Sequence, residues 1–114
     1  MIFKKLFTSI KIRIYKIFNK NRGYFNVAGK KMFLDFLDPI DREIIINQKY
    51  EDEEINILKK LYHQYNYEYF LDVGANCGYY CVKLSSEFNK LKFIAFEPNK
   101  EAFLKFSNTL NVNP

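Results

Sequence analysis

At 114 residues the chain has room for one small domain, and 48% apolar residues without low-complexity tracts exclude a disordered polymer. Its net charge of +5 is unevenly spread: residues 1–34 carry nine Lys or Arg and no acid, while residues 35–114 carry nine bases against thirteen acids. The basic character therefore belongs to an N-terminal arm, set at residues 1–30, and not to the body, residues 31–114.

No stretch approaches the roughly 20 uninterrupted apolar residues that a membrane span needs. The opening run MIFKKLFTSIKIRIYKIFNK is broken by Lys11, Arg13 and Lys16 and lacks a small-residue cleavage site, so it does not read as a signal peptide. The two cysteines are accordingly expected as reduced thiols, and a cytoplasmic location is the default. Within the run, Phe3, Leu6, Phe7, Ile10, Ile14, Ile17 and Phe18 recur at helical spacing. Three readings of such a helix stay open: a cover for a core or partner surface, a peripheral contact with an anionic membrane through residues 1–20, or a nucleic-acid contact. The Ile-x-Ile-x-Ile alternation over residues 10–14 also permits a strand.

Asn21 to Gly29 holds two of the four glycines and is expected to be a loop. Lys31 to Leu37 reads as a short strand, Asp38-Pro39 as a turn, and Ile44 to Ile46 as either a strand or a helical turn. Acidic Glu51 to Glu54 suit a helix start, and Ile55, Leu58, Leu61, Tyr62 and Tyr65 continue one face. His63, the single histidine, has no Cys or acid at metal-ligand spacing and is expected at the surface, with no metal site.

A strand at Tyr67 to Val73 then runs into a loop bounded by Gly74 and Gly78. Cys77, Cys81, Leu84 and Phe88 mark a helix stripe. Leu91 to Phe96 is a second apolar strand ending in Glu97-Pro98. Asn99 is a helix cap, and Phe103, Phe106 and Leu110 line the helix that follows. Strand, helix, strand and helix with short connections imply an α/β fold with parallel strands.

Such sheets bind ligands beyond the carboxyl ends of their strands, which is where DVGANCG falls. Gly74 permits a sharp turn, and Gly78 allows a ligand or packed backbone to approach the start of the helix. Amides there would face a carboxylate or phosphate. No Lys-Ser or Lys-Thr follows Gly78, which excludes a P-loop, and the glycine spacing does not match a dinucleotide fingerprint. A D-x-G-x-x-x-G loop suits S-adenosylmethionine, whose ammonium group an acid such as Asp72 can hold. Glu97 stands nineteen residues after Gly78, where a carboxylate reaches the ribose hydroxyls of NAD or S-adenosylmethionine. A βαβ turn with a surface glutamate is the structural alternative.

LDVGANCGYY followed by FIAFEPNKEAFLKFSNTLNVNP resembles the FkbM family of S-adenosylmethionine-dependent methyltransferases. The family shows a D-x-G-A-N-x-G-Y loop and an acidic F-E-P after the next strand, and KYEDEEINIL resembles its segment before the first strand. The resemblance spans residues 31–114 and implies a Rossmann-like methyltransferase fold, incomplete here. Only the first two parallel strand–helix units of a seven-stranded sheet would be present, beside an N-terminal helical or strand extension. It further implies O-methylation of a hydroxyl on a sugar or natural product, with a small-molecule or glycan substrate. It assigns cofactor binding to Asp72, Gly74, Ala75, Asn76, Gly78, Tyr79 and Glu97, with Pro98 following, and identifies no catalytic residue. Cys77 stands where a small aliphatic residue is usual and is expected to be a core thiol. The expectation is thus the N-terminal half of such an enzyme, a fragment inactive by itself that pairs with a complementing half or self-associates. The rival is a non-enzymatic module whose basic arm binds a membrane surface or nucleic acid. The aromatic residues sit at core spacing rather than on a base-stacking platform, so nucleic acid is not expected.

Overall fold

The computed structural model describes residues 2–113, leaving Met1 and Pro114 outside the described residues. It is a mixed α/β arrangement. In chain order it runs α1 (Ile2–Phe18), β1 (Arg22–Val27), β2 (Lys30–Asp35), α2 (Pro39–Asn47), α3 (Asp52–Tyr65), β3 (Tyr69–Val73), α4 (Tyr79–Ser85), β4 (Lys92–Phe96) and α5 (Lys100–Asn111). Among the described residues the strands form two separate pairs, β1 with β2 and β3 with β4.

The first pair corrects an expectation. Residues 22–27, read as loop, are the strand β1, which pairs antiparallel with β2 from Arg22↔Asp35 to Val27↔Lys30. Ala28 and Gly29 close the hairpin, both at positive φ (49° and 79°), the backbone twist that a two-residue hairpin turn requires. The basic segment 1–30 therefore divides physically. β1 is built into the body, and its Val27 shares one core with Met32, Leu34, Ile44, Ile55 and Leu84. By contrast, α1 contributes no buried residue. It covers the core only at one point, where Tyr15 packs on buried Phe36, and residues 10–14 are helical rather than a strand.

Asp38-Pro39 is likewise not a turn but the start of α2. The Asp38 carboxylate accepts from the amides of Ile40 and Asp41, and Pro39 occupies the first helical turn, where its missing N–H costs nothing. Ile44 to Ile46 accordingly lie in a helix. The helix beginning at Glu51 runs as expected to Tyr65, carrying an exposed His63 near its end. Asn99 caps α5 by accepting from the Ala102 amide at 3.0 Å. The face that α5 buries is Ala102, Lys105, Phe106 and Thr109, whereas the expected stripe residues Phe103 and Leu110 are exposed.

β3 and β4 are parallel, in register from Tyr69↔Lys92 to Val73↔Phe96. Side chains alternate between the two faces of a sheet. Phe70 and Phe93 pack inward against the core. Tyr69, Leu71, Val73, Ile94 and Phe96 occupy the opposite face, and all are exposed.

Asp35 is the hub that joins hairpin to helices. Its carboxylate accepts from Asn21 Nδ2, Arg22 Nε and the Leu37 amide, each at 2.8 Å. Its own amide donates to Asp41 Oδ2 at 2.8 Å. Burial pushes the Asp35 carboxyl up, but those three donors outweigh it and hold it below its ordinary value of 3.8. A depressed acid contributes stability that is present above the unfolded value and lost as pH falls through the folded one. Asp35→Asn should therefore be less stable than the parent at pH 6, with the difference shrinking once pH drops below 3.8. Urea titrations across that range measure it, and a pH-independent difference would contradict the assignment.

Candidate functional site

The glycine loop leaves the carboxyl end of β3 and is tied to the end of β4. The amides of Gly74 and Ala75 both donate to the Phe96 carbonyl, at 2.8 and 3.0 Å. Gly74 and Gly78 have φ of 83° and 84°, and Asn76 has φ of 51°, so three of the five residues of the turn are left-handed. A Cβ on Gly74 would meet no atom within 4 Å. On Gly78 it would lie 2.3 Å from the Phe106 ring. The two glycines thus serve different ends. Gly74 leaves open space beside the backbone, whereas the space at Gly78 is filled by α5 and not left for a ligand.

Glu97 comes to the same place. Its Oε2 accepts from the Asn76 amide at 2.6 Å, and its Oε1 accepts from the Asn99 amide at 2.8 Å. The acid after β4 therefore holds the loop after β3, at the matching ends of two parallel strands. Each carboxylate oxygen keeps a lone pair for a further donor.

The predicted residues do not line one pocket. Asp72, Gly74, Ala75, Asn76 and Tyr79 line a cavity of about 450 Å³, shared with Tyr50, Glu51 and Tyr80. Glu97 opens on the other side of the loop, into a polar cleft of about 460 Å³ with Arg22, Asp38, Asn99 and Lys105. Asn76 borders both and is the hinge between them.

Asp72 is half-buried, and its Oδ2 accepts from the Cys81 thiol at 3.4 Å. Burial raises its pKa above 3.8, the Cys81 bond opposes this, and the nearby charge of Glu97 adds to the rise. Tyr79 is buried, and its hydroxyl is already engaged. It accepts from the Tyr50 amide at 3.2 Å and lies 3.1 Å from Asp52 Oδ1. It ties α4 to the entry of α3 and offers the cavity ring surface rather than a free hydroxyl. Tyr80, overlooked in the sequence beside its neighbour, reaches Glu51 Oε2 at 2.6 Å across the cavity rim. The second Tyr of the GYY run was the only available signal.

Both cysteines are buried free thiols. Cys77 lies in the core cluster as expected, and burial pushes its thiol up to about 12, which favours the neutral thiol at neutral pH. Burial also raises Cys81, with the charge of Asp72 adding to it. Among the described residues no cluster of His, Cys, Asp and Glu is arranged to hold a metal ion.

A second group escaped sequence reasoning altogether. Lys105 of α5 is buried and donates to Asp41 Oδ2 at 2.6 Å, with Asp38 Oδ2 at 3.5 Å. The pair underlies the floor of the polar cleft and joins α5 to α2. Burial pushes the Lys105 ammonium down, but the Asp41 bond and charge outweigh it and hold it above 10.5. Comparison with protein-family models, curated proteins and solved structures finds no match to this chain.

Proposed function

We propose that the chain carries the cofactor-binding part of an S-adenosylmethionine-dependent methyltransferase of FkbM type, with a Rossmann-like architecture, acting on a hydroxyl of a sugar or natural product. The observation that carries this reading is the junction of Asn76 and Glu97, 2.6 Å apart, at the carboxyl ends of adjacent parallel strands. That is where open α/β sheets take their ligands. The open space at Gly74 and the half-buried carboxylate of Asp72 lie on one side of Asn76 and the unused lone pairs of Glu97 on the other, so an adenosyl amino acid would lie across Asn76 with its two ends in the two clefts.

Each residue then has a role. Asp72 would hold the ammonium group, its burial sharpening the preference for a cationic partner. The loop backbone at Gly74 and Asn76 would pass close to the ligand, and Glu97 would accept from vicinal ribose hydroxyls while still holding the loop. When bound, the cofactor supplies an electrophilic methyl group for the acceptor oxygen. Positioning that acceptor in line is what sets the rate of such a transfer. In this reading, further strands and helices would cover the apolar face of Leu71, Val73, Ile94 and Phe96 and supply the acceptor site.

Titration of S-adenosylhomocysteine into the labelled chain, followed by amide NMR, tests this. The Gly74, Asn76 and Asn99 resonances should shift together. Glu97→Gln should weaken the response by at least about tenfold, as expected on losing a hydrogen bond to a charged group. Shifts confined to other regions, or no shifts at millimolar ligand, would remove the reading.

A further inference from the structure

The helix α1 meets the body with its less apolar side. Thr8, Ile12 and Tyr15 are its only partly buried residues, and Tyr15 packs on Phe36 with ring centroids 4.9 Å apart. These three share one side of the helix. On the opposite side, Phe3, Leu6, Phe7, Ile10, Ile14 and Ile17 fall within about 100° of circumference at helical spacing. All six are exposed, Phe3 at 86% and Ile17 at 76%. Nothing local forces this choice, because the apolar arc could have been turned inward by half a rotation. The tertiary contacts turn it out.

Cations border the arc on both sides. Lys11 follows one edge, and Arg13 and Lys16 lie toward the other, while Lys4 and Lys5 sit beside the body, the Lys4 ammonium donating to Asn47 Oδ1; no acid lies anywhere in residues 1–34. Lys11 lies along the arc, its ammonium 4.8 Å from the Phe7 ring centroid. Long cationic side chains so placed can bury their stems beside apolar groups while their heads remain in water. No helix among the described residues is long and apolar enough to cross a membrane.

We infer that α1 is a docking helix for an anionic lipid surface, lying in the interface plane with its apolar arc among the acyl chains. This is independent of the cofactor reading. Charge selects this occupant. The arc is framed by positive groups, and residues 19–114 behind it carry thirteen bases against thirteen acids, so the whole net charge of +5 lies on α1. A polyanionic nucleic acid would match the cations but gain little from six bare aliphatic and aromatic side chains. The bare face of β3 and β4 in a second copy would match the apolar groups but not the charge, since Lys92 is the only ionisable group among its apolar residues apart from the Tyr69 phenol.

Co-sedimentation of the full chain with vesicles tests it, comparing phosphatidylcholine alone with an equal mixture of phosphatidylcholine and phosphatidylglycerol. Binding is expected on the mixed vesicles only, weakening as salt rises. Phe7→Ser with Ile14→Ser should reduce it at least tenfold, roughly the effect of withdrawing two apolar side chains from the interface. Lys11→Ser with Lys16→Ser should reduce it about fivefold per cation. Far-UV circular dichroism checks the fold of each pair. Phe3→Ser with Leu6→Ser replaces the first apolar pair if that one misfolds. Equal, salt-independent binding to neutral vesicles, or none to either, overturns the proposal. So does tighter binding to single-stranded RNA that ignores the apolar pair, or self-association relieved by that pair while vesicle binding is unchanged.

Discussion

Lys105→Met is expected to cost about 3–5 kcal/mol of folding stability, the penalty for leaving a buried carboxylate without its counter-charge. The side chain of Asp41 is fully buried and that of Lys105 is 7% exposed, so neither can turn to water in place. Asp41 Oδ2 accepts from both Lys105 and the Asp35 amide, while Oδ1 has no hydrogen-bond partner. Burial already pushes the Asp41 carboxyl above 3.8 despite Lys105, and removing the ammonium would push it further. Asp41 would then have to take up a proton or the cleft floor would open.

The double variant Asp41→Asn with Lys105→Met gives the discriminating result. Asparagine can still accept from the Asp35 amide without carrying charge, so more than half of the lost stability should return. Urea denaturation measures both. If Lys105→Met stays within about 1 kcal/mol of the parent, the pair is not what holds α5 to α2. A pH scan adds an independent sign. Lys105 is held above 10.5, so its contribution is present below that value and is lost as pH rises through the folded one. The parent should lose stability on that alkaline limb, and the double variant should not.

Gly78→Ala is expected to cost about 3 kcal/mol, combining backbone strain with overpacking. Its φ of 84° disfavours any side chain, and the new Cβ would lie 2.3 Å from two Phe106 ring atoms and 2.9 Å from Cγ. Cγ is the ring atom bonded to Cβ, so spinning the ring about that bond leaves it in place, and the whole Phe106 side chain or α5 itself must move. Gly74→Ala meets no atom and should cost only about 1 kcal/mol, from backbone conformation alone. Thermal melts of the two single variants and of Gly78→Ala with Phe106→Leu separate the two contributions. Equal effects at Gly74 and Gly78 would show that the Phe106 contact carries no weight. A double-variant cost equal to the sum of its parts would show the same.

The residues that could be read without coordinates are those whose signals are local. A β3–loop–α4–β4–α5 order follows from apolar runs punctuated by Gly74, Gly78, Pro98 and the Asn99 cap, each acting within a few positions. The hairpin was missed because RGYFNV is half polar and its turn is Ala-Gly rather than Asn-Gly, so neither strand nor turn shows its usual mark. Asp38-Pro39 misled for a related reason, since the same dipeptide that ends one element also begins a helix. Lys105 and Asp41 are 64 positions apart, and nothing near either distinguishes a buried charge from a surface one.

The linear order of residues thus determined a strand-end loop rich in left-handed conformers, an acid at the end of the next strand and an amphipathic basic helix. All of these depend on backbone preference and hydrophobic spacing. Three-dimensional packing alone decided that both Glu97 oxygens grip the amides of Asn76 and Asn99, that Phe106 fills the space at Gly78, and that α1 turns its apolar side to solvent. The physical reason is that such choices are settled by which distant groups compete for the same volume and the same hydrogen bonds, and those competitors meet only once the chain has folded.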